Sequence, residues 1–307
     1  MDAFSDLRSL LFSIAYRMLG SVSDAEDVVQ DAYLRYHAAL QEDTEIESPK
    51  AYLSAVTTRL AIDHLRSARV RRETYVGQWL PEPLLTDTAA PDPAQHSADS
   101  DSLSMAFLLV LERLSPLERA VFLLHDVFGY EFGEIASIVG KSVENCRQVA
   151  VRARRHVAEH RPRFEASRQQ REQLADRFVA ALSDGDVDGL VELLAADVVV
   201  TGDSGGVRPS WPRPITGRDN VARLLAGVAA QVRQVAGVSL ARAEVNGQPG
   251  AVVRDGEGRL VNVFSFDIVD GTVQAIRSVI ARDKLRHLGP LADVPALLEA
   301  RGDPRDR

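Results

Sequence analysis

Apolar residues recur at helical spacing through the first half of the chain. In residues 2–19, 24–40 and 49–72 they fall every three or four positions, which predicts three amphipathic helices. The same spacing resumes near residue 102. It predicts a helix over residues 117–128 that is apolar on most sides and therefore lies at the centre of a small bundle.

The second half combines helices with strands. Helical patterns cover residues 169–182, 187–194 and 218–232, and β-branched runs cover 197–201, 238–245, 251–254, 260–269 and 272–281. The last four runs are separated by Asn246-Gly247, Asp255-Gly256 and Asp270-Gly271. Because such dipeptides favour two-residue hairpin turns, this half is predicted to hold a curved antiparallel sheet.

Several helix starts carry local signals. Ser23 and Glu26 have the spacing of a capping box, in which each side chain bonds a free backbone amide of the first turn. Ser48 and Ser115 each precede a proline, and Glu118 completes a second capping box with Ser115. The sequence therefore predicts helix starts at these three serines.

Residues 131–155 read as two short helices joined by a tight turn. Gly140 suits a left-handed helix stop, and Ser142 suits the N-cap of the second helix. That helix turns Cys146 and its apolar neighbours inward and a basic face outward, which is typical of a DNA-reading helix-turn-helix. Such hairpins are also common packing units, so this stretch alone leaves both interpretations open.

Residues 74–101 have the composition of a linker, with prolines among Asp, Ala, Ser and Thr. One part differs, because the segment WLPEPLL at residues 79–85 places a tryptophan and three leucines between prolines. These side chains are costly to leave in water. We therefore expect this segment to dock on a folded domain, the C-terminal one.

Charge is distributed unevenly along the 307 residues, whose formal net charge is −8. Residues 59–72 hold five arginines against one aspartate, and residues 141–171 hold nine basic residues against three glutamates. Two basic segments in an acidic chain favour local phosphate contact over general nucleic-acid affinity.

The single cysteine excludes an internal disulfide and multi-cysteine metal sites. The N-terminus lacks a signal-peptide pattern, and no apolar run approaches membrane-spanning length, so we expect a cytoplasmic location.

Three separated motifs in residues 1–163 resemble the extracytoplasmic-function sigma factors of bacterial RNA polymerase. They are DAEDVVQDAYLRYH, SPKAYLSAVTTRLAIDHLR and LERLSPLERAVFLLHDVFGYEFGEIASIVGKSVENCRQVAVRARRHV. The resemblance implies core RNA polymerase, at its beta-prime clamp region, and promoter DNA as partners. It implies two all-α sigma domains, the second with the helix-turn-helix. One departure is Arg59, where many relatives would carry Asn.

The resemblance also assigns residues. Polymerase binding falls on the acidic face of the second helix: Asp24, Glu26, Asp27, Gln30 and Asp31. Reading of the minus-ten element falls on the basic half of the third helix: Arg59, His64, Arg66, Arg69, Arg71 and Arg72. Reading of the minus-thirty-five element falls on the helix-turn-helix: Ser142, Glu144, Asn145, Arg147, Gln148, Arg152, Arg154 and Arg155. An acidic first turn also favours the helix dipole, so the acidic face has a purely structural explanation too.

The C-terminal part resembles the SnoaL-like fold, an α+β cone with an open pocket. Sigma factors with this extension form a recognised subgroup, the SigJ type, in which the domain is thought to replace a separate anti-sigma protein. The chain shares three further places with that subgroup, WLPEPL, GDSGG and RDKL. They supply the expected interdomain or regulatory residues: Trp79, Leu80, Pro81, Asp203, Gly205, Gly206, Asp283, Lys284 and Leu285.

The predicted domains follow from these resemblances. Residues 1–73 form sigma region 2, 74–101 the linker, 102–166 sigma region 4, 167–288 the SnoaL-like regulatory domain and 289–307 a mobile tail with a short helix near 294–300. We expect no metal, no cofactor, no membrane and no required anti-sigma partner. The pocket is left open as a small-molecule site.

An enzymatic pocket is not expected. SnoaL-like enzymes use carboxylates with a His or Tyr for proton transfer. Beyond residue 170 the chain has one histidine, His287, and no tyrosine. Asp203 is interpreted as a turn residue in a glycine loop, and Asp267 as a solvated strand end. Two alternatives stay open, a ligand-sensing DNA-binding repressor and an enzyme with a DNA-binding appendage.

Overall fold

A computed structural model describes residues 3–42, 45–73, 75, 77–86, 100–159, 168–206 and 213–299, with only the backbone described for 68–73 and 168. The chain forms two compact units. One comprises Met1–Thr74 and Ala89–Arg161, and the other comprises Tyr75–Thr88 and Pro162–Arg307. Part of the predicted linker thus belongs to the second unit. Among the described residues, no helix is both long and apolar enough to cross a membrane.

The described part of the first unit is helical. It contains α1 (Ala3–Leu19), α2 (Val22–Gln41), α3 (Pro49–Glu73), a 3-10 turn (Ser100–Ser102), α4 (Met105–Leu111), α5 (Pro116–Phe122), α6 (Phe132–Val139) and α7 (Val143–Ala158). The predicted inner residues of α2 are buried, as the periodicity requires: Ala25, Val28, Val29 and Ala32. The first half of the chain therefore has the predicted helices.

Two of the three predicted helix starts are confirmed. Ser48 accepts a hydrogen bond from the Ala51 amide at 3.2 Å, and Ser115 forms its capping box with Glu118. The prediction for Ser23 is wrong. The cap is Ser21, whose Oγ accepts from the Asp24 amide at 3.1 Å, because the chain is already extended at Ser21.

The helix predicted over residues 117–128 is not regular throughout. After α5 the chain widens into one π-helical turn, Leu123–Val127, where the Phe128 amide bonds the Leu123 carbonyl at 3.0 Å. The His125 ring lies 2.9 Å from the Tyr130 carbonyl and fixes the chain leaving this turn. Periodicity alone does not show such a wide turn, because Leu123 and Leu124 stay buried in it as they would in a regular helix.

The second unit places helices against a six-stranded sheet. Its helices are α8 (Arg168–Asp184), α9 (Val187–Leu193), α10 (Arg218–Arg233), α11 (Arg282–Leu285) and α12 (Val294–Glu299). Its strands are β1 (Leu194–Asp203), β2 (Ile215–Thr216), β3 (Ser239–Val245), β4 (Gln248–Arg254), β5 (Leu260–Val269) and β6 (Thr272–Val279), in the order β2-β1-β6-β5-β4-β3. Phe178 of α8 packs edge-on against Phe266 of β5 at 5.1 Å between ring centroids.

The sheet is mixed, which corrects the prediction of an antiparallel one. β1 runs parallel to β6, while β3, β4, β5 and β6 form an antiparallel meander. Turn dipeptides determine pairing only between strands they join. β1 and β6 are far apart in sequence, so no signal between neighbouring residues could predict that they pair in parallel.

Two of the three predicted hairpin turns are confirmed. Asn246 and Gly247 have φ of 54° and 69°, and Asp270 and Gly271 have φ of 49° and 72°, as a type I′ turn requires. The prediction of a two-residue hairpin turn at Asp255-Gly256 is wrong. Residues 255–259 form a longer loop in which the Asp255 carboxylate accepts the amides of residues 257 and 259.

The tail was predicted to begin at residue 289, but the first residues of that range are part of the folded second unit. Leu260 donates its amide to the Pro290 carbonyl at 2.8 Å and accepts the Ala292 amide at 2.9 Å. Residues 289–293 are therefore part of the second unit, since they pair with the start of β5. The short helix predicted near 294–300 is present as α12, and residues 300–307 lie outside the described residues.

Candidate nucleic-acid interface and linker site

The helix-turn-helix has the predicted geometry. Gly140 ends α6 with φ of 65°, and the Ser142 Oγ accepts the Asn145 amide at 3.2 Å. α7 buries Cys146, Val149, Ala150, Ala153 and Val157. Burial raises the pKa of the Cys146 thiol, so it packs as a protonated apolar side chain.

The outer face of α7 is exposed and polar, as a DNA-reading surface requires. Arg147 and Gln148 both contact Glu144, at 3.8 and 3.4 Å. Exposed ion pairs of this kind contribute little to stability, so these side chains can exchange partners readily. The residues of α7 assigned to minus-thirty-five reading are exposed, and their contact with DNA stays a prediction: Glu144, Asn145, Arg147, Gln148, Arg152, Arg154 and Arg155.

Two ion pairs link this face to neighbouring elements, and the face also carries Val151, which the helical repeat placed outward but which was not assigned to DNA. Arg152 lies 3.7 Å from Glu118, and Arg154 lies 2.8 Å from Asp126. Val151 is 65 % exposed at the centre of the face. An exposed valine suits contact with a thymine methyl group. Its outward position in the helical repeat was the sequence signal for it.

Several side chains in the basic half of α3 already bond to other groups of the first unit. Arg59 donates to the carbonyls of Ser137 and Ile138 at 2.7 Å each, at the end of α6. His64 lies 3.1 Å from Asp24, and Arg66 pairs with Asp63 at 3.1 Å. The side chains of Arg69, Arg71 and Arg72 lie outside the described residues. DNA contact by this set stays a prediction, and Arg59 has to leave its carbonyl partners to make it.

The acidic face of α2 lies at the surface. Asp27, Gln30 and Asp31 are exposed, whereas Glu26 pairs with Arg8 and Asp24 contacts His64. Leu34 beside them is 56 % exposed, and the sequence prediction did not include it. An exposed leucine beside carboxylates suits a partner surface with an apolar centre and a basic rim. The polymerase-binding assignment stays a prediction.

The described residues within 3–73 and 102–159 pack together in the first unit. Besides Arg59, the Ser54 and Tyr130 hydroxyls bond at 2.7 Å, and Arg119 donates to the Met18 carbonyl at 2.6 Å. Arg119 also pairs with Glu112 at 2.9 Å. Burial lowers the pKa of Arg119 to about 9, so it is a cation at neutral pH. Sequence reasoning missed this interface, because its partners are distant along the chain.

Residues 75 and 77–86, named here the linker clip, belong to the second unit and bond to its C-terminal domain. Leu80 is 1 % exposed. The Leu84 carbonyl accepts the Asn246 amide at 2.8 Å, and the Thr86 amide bonds the Glu244 carbonyl at 3.0 Å. Leu85 forms an antiparallel bridge with Val245 at the end of β3. The predicted docking of the WLPEPLL segment on the C-terminal domain is confirmed.

Asp203 is the centre of the clip contact. One carboxylate oxygen accepts the Leu80 amide at 2.8 Å and Lys284 Nζ at 2.6 Å. The other accepts the Tyr75 hydroxyl at 2.6 Å and the Gly205 amide at 3.1 Å. Asp203 is therefore more than the turn residue of the sequence interpretation. The structure brings together one residue from each of the three predicted regulatory motifs, Leu80, Asp203 and Lys284.

Lys284 completes this cluster from α11. Its ammonium donates to the Leu80 carbonyl at 2.6 Å and lies 4.4 Å from the Trp79 ring centroid and 4.7 Å from that of Tyr75. Burial lowers the pKa of Lys284, and the Asp203 carboxylate acts in the opposite direction. Burial and the hydrogen bond to Asp203 raise the pKa of Tyr75. Leu285 is buried beside Lys284, and Asp283 is exposed.

Asp267, the other carboxylate considered for catalysis, is not in the environment predicted for it. Asp267 is 5 % exposed and lies 2.6 Å from Arg277, so the interpretation as a solvated strand end is wrong. His287, the histidine considered for proton transfer, lies 2.8 Å from the Pro83 carbonyl of the clip. Among the described residues, no group of three or more His, Cys, Asp or Glu side chains is placed to hold a metal.

Comparison with known proteins gives three family matches along the chain. Residues 3–71 match Sigma-70 region 2, residues 104–157 match Sigma-70 region 4, and residues 175–279 match the SnoaL-like domain. Together they follow the helical first unit and the sheet of the second.

Relatives match over both units. The chain is 38% identical over 291 residues to the ECF RNA polymerase sigma factor SigJ of Mycobacterium tuberculosis strain H37Rv, covering 92% of each chain. It is 38% identical over 189 residues to the probable ECF RNA polymerase sigma factor SigI of M. tuberculosis strain CDC 1551, covering 61% of this chain and 64% of that one. The crystal structure of M. tuberculosis SigJ superposes with a TM-score of 0.74 at 35% identity, covering 94% of this chain and 99% of that one.

Proposed function

The chain belongs to the extracytoplasmic-function (ECF) sigma factors of bacterial RNA polymerase and is an alternative sigma factor, and we propose that its SnoaL-like domain regulates it from within. Regulation acts through the linker clip, which lies in the chain between sigma region 2 and sigma region 4. Core polymerase binds the α2 face, at its beta-prime clamp region, and promoter DNA binds α3 and α7.

The outer face of α7 supports the DNA role. A single exposed helix carrying Arg147, Gln148 and Val151 fits a major groove, where arginine, glutamine and an apolar side chain distinguish bases. The neighbouring arginines, Arg152, Arg154 and Arg155, are placed to contact phosphates. The helix therefore offers both base-reading and phosphate-binding groups.

The packing of region 2 against region 4 supports a closed form. The minus-ten and minus-thirty-five elements lie about 25 base pairs apart, or about 85 Å along B-DNA at about 3.4 Å per base pair. Arg59 of α3 bonds directly to the end of α6 at 2.7 Å. The two regions cannot keep this bond while each occupies its own element. Promoter binding therefore requires them to separate.

One observation carries the regulatory proposal: Asp203 and Lys284 hold both backbone groups of Leu80, at 2.8 and 2.6 Å. The linker must change conformation when region 2 and region 4 separate. A linker bonded to the C-terminal domain loses part of that freedom. The domain thus favours the closed form as long as it holds the clip.

The experiment is promoter-dependent transcription with core polymerase, comparing the wild type with Leu80→Asp. A carboxylate at the buried Leu80 position, beside Asp203, should release the clip and raise transcription. Val187→Asp is the matched control, because Val187 is 40% exposed in the same unit. Transcription by Leu80→Asp that equals the control, or falls below it, would contradict regulation through the clip.

Further parts of the proposal follow from this role. The protein acts in the cytoplasm, where RNA polymerase works, and needs no separate anti-sigma protein. It catalyses no reaction of its own, since Asp203 already accepts four hydrogen bonds and Asp267 pairs with Arg277. The pocket of the SnoaL-like domain serves as a small-molecule site.

A further inference from the structure

The SnoaL-like domain has an open cavity of about 580 Å³ between α10 and the sheet. Its walls are mostly apolar side chains, among them Leu224, Val228, Leu240, Val253 and Phe264. Its volume lies within the range of sites for small organic ligands.

One polar pair lies in the cavity wall. The Asn262 side-chain amide on β5 donates to the Ser278 Oγ on β6 at 2.9 Å. The Ser278 hydroxyl lies 3.2 Å from Asn262 Oδ1 and donates to it in turn. An asparagine amide has two N–H donors, so one N–H remains as hydrogen-bonding capacity beyond this pair. A ligand carbonyl or hydroxyl group can use that capacity while its apolar part fills the rest.

The lining gives no buried counter-ion to a charged ligand. Its charged side chains are Asp203, Arg223 and Arg233, as far as the lining is described. Asp203 is paired with Lys284. Arg223 and Arg233 are exposed on α10, where they bond to Asn220 at 2.7 Å and to the Ser183 carbonyl at 3.3 Å. Burial of an unpaired charge is costly, so the cavity favours an uncharged molecule.

The cavity and the linker clip share one stretch of backbone. Gly202, Asp203 and Ser204 line the cavity at the end of β1, together with Ile280. The Ile280 amide bonds the Asp203 carbonyl at 2.8 Å. The Asp203 side chain meanwhile holds Leu80 and Tyr75 of the clip. A molecule pressing on this stretch therefore moves the carboxylate that holds the clip.

We propose that the cavity binds an uncharged, mostly apolar molecule with one carbonyl or hydroxyl group, and that its occupancy alters the hold of Asp203 on the linker clip. This inference rests on the proposed regulatory role and names the ligand class of that domain. Coupling is reciprocal, so clip release must also change the affinity of the cavity.

Binding is tested on the full chain with the neutral dye N-phenyl-1-naphthylamine as the probe. We expect saturable binding of one dye per chain, displaced by decan-2-one at least about tenfold more effectively than by decanoate or decylammonium. Asn262→Leu should reduce the affinity for decan-2-one by about tenfold, the loss expected for one hydrogen bond. Val228→Phe should lower the affinity for the dye itself, because it fills part of the cavity. Val187→Phe, at an exposed position, is the control. The competition series uses wild-type protein, so it stands even if a cavity variant fails to fold.

Coupling is read from Trp79 after Trp211→Phe removes the other tryptophan. Because Trp79 lies against Lys284, its emission should change on saturation with decan-2-one and not in the Asn262→Leu variant at the same concentration. No saturable dye binding, or equal displacement by all three competitors, would overturn the ligand class. Binding without any change in Trp79 emission would overturn the coupling. Neither result touches the Leu80→Asp transcription test, which uses no ligand.

Discussion

Asp203 shows how one side chain can join separate parts of the sequence. Its carboxylate accepts four hydrogen bonds while it is 1 % exposed. Lys284, by contrast, has Asp203 as its bonded carboxylate and the Leu80 carbonyl as a further acceptor. The two partners of this ion pair therefore depend on each other unequally.

Asp203→Ala should destabilise the second unit by about 3–5 kcal/mol, because it leaves the Lys284 ammonium buried without its partner. Lys284→Met should cost less, about 1–3 kcal/mol, since three donors to the carboxylate remain. Urea unfolding followed by circular dichroism measures both, with Asp197→Ala on the exposed part of β1 as the control. Equal losses for the two variants would contradict this unequal dependence.

Arg147 and Gln148 belong to the same scale, since each is a single exposed side chain on α7. Arg147→Ala or Gln148→Ala should change the preference among minus-thirty-five sequences by about 1–3 kcal/mol, the value of a good bidentate base contact. Holoenzyme binding to a set of promoter variants measures it, with exposed Arg113→Ala as the control. A uniform loss on every sequence would identify these side chains as phosphate contacts.

At the scale of elements, α3 has two competing uses. Its basic half is predicted to read opened promoter DNA, but Arg59 there donates two hydrogen bonds to the end of α6. Carbonyl groups at a helix C-terminus lack helical partners and favour a cation. The bonds of Arg59 therefore stabilise the closed packing of region 2 against region 4.

Arg59→Ala should shift the first unit toward the separated form by about tenfold, since hydrogen bonds from a charged donor contribute about 1.5–3 kcal/mol each before discounting for exposure. Small-angle scattering should show a larger radius of gyration. Arg66→Ala is the control, because Arg66 lies two turns further along α3 and pairs only with its neighbour Asp63 among the contacts described. An unchanged scattering curve for Arg59→Ala would exclude Arg59 as a closing contact.

Signals between neighbouring residues predicted most helices, strands and turns. Contacts between residues far apart in sequence could not be predicted in this way. The periodicity of α1 to α3, the Ser115 cap and the Asn246-Gly247 turn are properties of neighbouring residues, and they were readable. The parallel pairing of β1 with β6 and the bonds of Arg59 join residues far apart in sequence. The docking of Leu80 was predictable from its hydrophobicity, but its bonds to Asp203 and Lys284 were not, because these partners lie far from it along the chain.

At the scale of the whole molecule, the chain combines the two regions of a sigma factor with a SnoaL-like domain, which we propose regulates them. The two sigma regions close on each other in the first unit, and the linker between them is held by the second. Activity then depends on two equilibria, the separation of the sigma regions and the release of the clip. Both are internal to one polypeptide, and a partner that binds one state better than the other shifts the balance.

The most direct test mixes the full chain with sigma-free core RNA polymerase and promoter DNA. Complex formation is followed by size-exclusion chromatography and initiation by transcript synthesis. The account predicts a stable complex, initiation at a defined promoter, and higher initiation when Leu80→Asp releases the clip. Neither a complex nor a transcript at any promoter would contradict it.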